Sequence, residues 1–119
     1  MSWLYFLAYF FGGAFLTNAV PHFVSGVTGR PFQSPFANPP GQGLSSSTVN
    51  VLWGLLNLVF FYGLIFHVGH FDVKNIADAA AFGLGMLAIG LFSARHFGQF
   101  NGGNVQGGNT PGSNTTTPS

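Results

Sequence analysis

The residues best equipped for chemistry in this chain are four histidines, two carboxylates and a pair of asparagines set in an apolar run. His67 and His70 stand three residues apart with Asp72 just beyond, and imidazole with carboxylate suits zinc or iron. His22 and His96 fall towards the opposite membrane face, where they are the other pair on which a metal or haem would depend. Two imidazoles and one carboxylate make a weak ligand set, and histidine is ordinary at a membrane interface. The expectation is therefore no cofactor. His67, His70 and Asp72 stand as weak metal candidates, and a metal- or haem-binding membrane protein is the third functional option.

Asp78 is the most conspicuous ionisable group inside a long apolar stretch, where such residues mark ion or proton paths by default. Its place three residues after Asn75, in a first helical turn, favours capping instead. Arg95 and His96 close the third apolar stretch, where cations suit the helix dipole and a long side chain reaches back to water. Lys74 and Asp72 fall in a turn. Arg30, within Gly29-Arg30-Pro31-Phe32, has no such account; it suits a lipid phosphate or a partner carboxylate, or marks the cytoplasmic face.

Asn50 and Asn57 are seven residues apart with Gly54 between them, so they share one helix face. Buried amides in lipid seek partners, and hydrogen bonding to another helix is the expected role, with Gly83, Met86 and Gly90 as the opposing surface. A polar stripe along a permeation path is the sharper alternative. Small residues at helical spacing, including Ala8, Gly12, Gly83 and Gly90, point to close helix packing. No nucleophile elbow, phosphate-cradling glycine loop, paired carboxylates or metalloprotease motif occurs. Cysteine is absent, which removes thiolate catalysis, disulfides and iron–sulfur ligation. No enzymatic activity is expected.

Three apolar stretches, Trp3–Val20, Val49–Val68 and Ile76–Ala94, must position these groups. None holds a Lys, Arg or Glu. As helices they run roughly 27–30 Å, close to the hydrocarbon thickness of a bilayer. Charged residues make up 4% of the 119 residues, against about 25% in an ordinary soluble domain, so lipid must supply the missing polar surface. The expected fold is an all-α membrane protein with three transmembrane helices at 3–20, 49–68 and 76–95, forming one domain over 1–97. The first stretch lacks the basic residues that open a signal peptide and is expected to stay as a helix, although Thr17-Asn18-Ala19 faintly resembles a cleavage site.

Pro21 is expected to end the first helix. The segment 21–47 carries five prolines, which exclude a regular fourth helix, yet also Phe32 and Phe36 at a repeated Pro-Phe unit. An ordered Pro/Phe-rich loop is expected, its rings dipping into the interface or capping the bundle. The short connection 69–74 predicts an antiparallel hairpin of the second and third helices. Residues 98–119 form a Gly/Asn/Thr-rich tail expected to be disordered, with a sequon at Asn114-Thr115-Thr116.

Arg30 and Arg95 fall on one side, Lys74 and the amino terminus on the other, which places the carboxy terminus in the cytoplasm and the chain in the plasma (inner) membrane. The net charge of +1 and the lack of a basic run exclude nucleic acid as a partner. Membrane lipids and other membrane-protein subunits, or further copies of the chain, remain. The leading function is an accessory, structural or assembly subunit working through helix packing and the Pro/Phe loop. The alternative is a small transporter or channel protomer using Asn50, Asn57 and Asp78.

Overall fold

A computed structural model describes residues 2–105; the sequon and most of the expected tail lie outside them. Three helices, α1 (Ser2–Val27), α2 (Ser47–Phe66) and α3 (Ile76–Asn101), carry the chain. All three are long and apolar enough to cross a membrane.

Pro21 does not end α1; it sits inside a helix of 26 residues. A proline removes one backbone hydrogen bond, and neighbouring elements compensate. Here His22 is held by α2, and Gly26 packs so closely on α2 that a Cβ would lie 2.6 Å from the Val51 nitrogen. The stop comes at Gly29, whose φ of 78° bends the chain out of the helix. The third helix also outruns its expected end at 95, continuing to Asn101 before Gly102 at φ 83°. Residues 98–101, expected in the tail, are therefore helical. Ser46 caps α2 by accepting from the Val49 N–H at 3.2 Å, and Asn75 caps α3 by accepting from the Asp78 N–H at 3.1 Å.

Between α1 and α2 the chain forms a small antiparallel pair, β1 (Phe32–Gln33) with β2 (Leu44–Ser45), Phe32 opposite Ser45. The intervening turn folds back through Gly41, whose N–H donates to the Ser34 carbonyl at 2.8 Å.

Packing departs from the expected hairpin of α2 and α3. Both lie against α1, and they scarcely meet each other except where the Phe61 and Phe82 rings stand 6.2 Å apart. Backbone contact explains the choice. On α3, Gly85 sits against the Phe10 carbonyl, and Gly13 of α1 sits against the Phe82 carbonyl; a Cβ at either would overlap those oxygens. Gly54 of α2 packs on Phe23, where a Cβ would lie 2.7 Å from the backbone nitrogen. Such approaches suit association where lipid offers no hydrophobic driving force. Gly83 faces open space and Gly90 only reaches a Thr17 methyl at 4.0 Å, so the opposing surface expected from Gly83, Met86 and Gly90 does not form.

The chain direction brings the end of α1, the start of α2 and the end of α3 together with the loop. Near the other end, Ala8, Tyr9 and Ile65 form the buried apolar core, with Phe71 and Phe82 against it.

Candidate functional site

The polar residues of the bundle collect at the loop end. Asn18 and His22 lie one turn apart on α1, and Asn50 and Asn57 two turns apart on α2. Asn50 is fully buried and its side-chain nitrogen meets three carbonyls: Phe32 at 3.2 Å, Ser45 at 3.2 Å and Ser46 at 3.0 Å. Carbonyls only accept, so the amide orientation follows: Nδ2 donates to them and Oδ1 points at His22 Nδ1, 2.8 Å away. His22 Nδ1 must then carry the proton. One amide thus holds both strands of the loop and the α1 imidazole.

The second rung repeats the logic. Asn57 donates to its own helix at the Trp53 carbonyl, 2.7 Å, and accepts from Asn18 Nδ2 at 3.1 Å. Asn57 therefore faces α1 rather than α3. The sequence points to α3 as the neighbour of this amide; α1 takes that place because Asn18 supplies the partner. The pattern was available: polar residues at i, i+4 on the first helix match polar residues at i, i+7 on the second.

The extension of α3 completes this end. His96 Nε2 approaches the Gly41 carbonyl at 2.7 Å, so that nitrogen carries the proton. Asn101 donates to Gln33 at 3.3 Å, and the Ser34 and Ser45 hydroxyls meet at 2.6 Å. His22, 1% exposed, stands edge-on to Phe32, Trp53 and Phe97 at 5.5, 6.3 and 5.9 Å, and His96 stacks on Phe92 at 5.6 Å. Between them lies a cavity of about 340 Å³, lined by Asn18, His22, Trp53, Phe92, His96 and Phe97 along with loop residues. Two buried polar atoms lack partners among the described residues, Thr17 Oγ1 and Trp53 Nε1.

The other sequence candidates fall elsewhere. His67, His70 and Asp72 are exposed in the connection, and no group of three His, Cys, Asp or Glu able to hold a metal forms among the described residues. Asp78 accepts from the Asp72 N–H at 3.0 Å, and Asp72 from the Lys74 N–H at 2.9 Å, so both carboxylates tie the turn into α3. Arg30 is exposed in the loop. Phe32 is half-buried against His22 and Phe97, while Phe36 is exposed with its ring edge-on to Trp53 at 5.2 Å.

Compared with protein-family models, with curated proteins and with solved structures, the chain matches none.

Proposed function

We propose that the chain is a three-span integral membrane protein that serves as an accessory or assembly subunit. The observation that carries this reading is the unequal coverage of the helices. Within the most apolar window of each, 33% of α1 and 22% of α2 are buried, but only 6% of α3. The central helix is clasped by its two neighbours, while α3 keeps most of its surface free. That surface includes Gly83 with nothing within 4 Å of a built Cβ, one turn from Ala79. Small residues on an open helix face are how membrane helices admit a close neighbour. The partner is a second copy or another membrane subunit.

The Pro/Phe loop belongs to the same proposal. α1 and α3 exceed α2 by six residues, 26 against 20, or about 9 Å of helix. The excess of α3 lies at the loop end, where Asn101 reaches Gln33, and that of α1 at the connection end, because Gly26 meets the start of α2 and Gly12 meets Ile65 near its end. Arg30 and Phe36 are exposed in the loop and suit the headgroup level. The Arg30 and Arg95 pair favours a cytoplasmic loop in the plasma (inner) membrane. The transporter reading draws less support: Asn50 and Asn57 are both sealed from solvent and spent on fixed partners, and Asp78 is engaged in the turn.

The test is alkaline extraction of membranes followed by cross-linking. The chain stays in the pellet and cross-links into a defined complex. Gly83→Ile keeps the fold, having room for the side chain, and loses the complex. A chain released by alkali, or a complex indifferent to Gly83→Ile, contradicts the reading.

A further inference from the structure

Two spaces in the bundle meet at one amide. The cavity of about 340 Å³ at the loop end is lined by all three helices and the loop, and a groove of about 480 Å³ runs between α1 and α3 past Phe11 and Ile89. They share Asn18, Phe92 and Phe97. The cavity is the more polar of the two, with His22, Ser34 and His96 beside Asn18, whereas the groove adds one hydroxyl, Ser93. His22, Ser34 and His96 are already bonded within the chain, to Asn50, Ser45 and Gly41. Asn18 is only half engaged. Asn57 donates to the Trp53 carbonyl and so accepts from Asn18 Nδ2, which fixes the orientation of the Asn18 amide. Its second Nδ2 hydrogen and its carbonyl oxygen have no partner among the described residues, and neither atom is sealed. One free donor and one free acceptor therefore stand on the side chain common to the polar cavity and the apolar groove.

We propose that cavity and groove together bind an uncharged amphiphile, its small hydroxylated head in the cavity against Asn18 and a hydrocarbon chain between α1 and α3. Charge selects the head. Among the described residues no Lys, Arg, Asp or Glu lines either space. Depth acts in the same direction. Asn18 precedes Val27, the last residue of α1, by nine positions, about 14 Å along the axis. A phosphate or ammonium head would leave water for a site with no counter-charge, which is costly. A hydroxylated head carries no charge to desolvate, and its O–H groups both give and take at the Asn18 amide. The space is sufficient: benzene, with as many heavy atoms as glycerol, fits a cavity of roughly 150 Å³. The chain contributes little selectivity, because hydrocarbon is as well placed in lipid as in the groove. The groove lets it follow the head without leaving apolar surroundings. This goes beyond the subunit role and rests only on the membrane-spanning part of that reading, which supplies the amphiphile.

The test uses the full chain in phosphatidylcholine nanodiscs doped, at equal low mole fraction, with monooleoylglycerol, oleyl phosphate, oleylamine or octadecene. Native mass spectrometry of the released chain counts what each probe leaves bound. Monooleoylglycerol is retained at one per chain, at least tenfold above the other three. In the Trp3→Phe chain Trp53 is the one tryptophan, and it lines the cavity. Monooleoylglycerol shifts its emission saturably, and the charged and headless probes do not. Ala88 is exposed on the groove wall. Ala88→Phe fills the groove and lowers retention at least fivefold, with the thermal unfolding midpoint unchanged. Retention of oleyl phosphate, oleylamine or octadecene equal to that of monooleoylglycerol, or no retention at all, overturns the proposal with the unaltered chain alone. Retention that leaves Trp53 emission unmoved, or that Ala88→Phe spares, overturns the placement in cavity and groove. A chain that stays with membranes through alkaline extraction yet retains no probe leaves the subunit reading standing and removes this one.

Discussion

The two ends of the bundle are built on different principles. At the connection end, Tyr9, Ile65, Phe71 and Phe82 pack as a cluster, and the side-chain hydrogen bonds that close the turn are local: Asn75 to Asp78, Asp72 to Lys74. At the loop end the bonds join residues far apart in sequence, from Asn18 to Asn57 and from His96 to Gly41. In lipid, apolar side chains gain little by leaving hydrocarbon for one another, so packing alone specifies a partner weakly. A buried amide or imidazole left unpaired is costly, and so its pairing is selective. The loop end therefore holds the arrangement of the helices, and the connection end follows it.

That contrast is most exposed to Asn50→Leu. Losing one side chain takes a donor from three carbonyls, of which Ser46 keeps its backbone bond, and the acceptor from the His22 proton, and the expected destabilisation is about 3 kcal/mol, read by unfolding in mixed micelles. Cleavage by protease across residues 30–42 rises with it. An effect below about 1 kcal/mol would mean that the loop end does not rest on this network. Gly85→Val comes next. Its Cβ would meet the Phe10 carbonyl, which belongs to the backbone and cannot turn aside, so α3 must move off α1 at a cost of about 2 kcal/mol. Cross-linking between cysteines placed on α1 and α3 reports that displacement.

Asn57→Leu is smaller, on the order of 1 kcal/mol, because it removes a single interhelical bond. A double-mutant cycle with Asn18→Leu recovers most of it as coupling, whereas a cycle with substitutions on α3 recovers none. At the connection end, Asn75→Ala removes one cap on an exposed turn and costs no more than about 1 kcal/mol. His67→Ala and His70→Ala fall within about 0.5 kcal/mol of the parent and leave metal content unchanged by elemental analysis.

The three long apolar helices were legible in the sequence because length of apolar run and scarcity of charge depend on composition alone. The Asn75 cap was legible because capping is local. The ends of α1 and α3 were not. Apolar periodicity marks the surface a helix offers to lipid, and both helices outlast that surface, running on through His22 and Phe97 to meet the loop. Pro21 reads as a terminator in isolation, but its missing bond is tolerated where α2 holds the next turn. The helix order was illegible for a related reason. A short connection predicts that α2 and α3 pair, while the glycines that let backbones touch, Gly13, Gly85 and Gly54, all serve α1. The cavity was the least visible feature. Its lining comes from all three helices and the loop, and which nitrogen of each imidazole holds the proton depends on a partner in another element.

The proton on His22 tests the account most directly. With ring nitrogens labelled, two-bond proton–nitrogen correlation spectra of the chain in lipid or detergent identify the tautomer without any mutation. The network through Asn50 predicts a neutral ring with its proton on Nδ1 and a bare Nε2. A neutral ring with its only proton on Nε2 would contradict it, since Asn50 could not then accept from His22 while donating to the Phe32, Ser45 and Ser46 carbonyls.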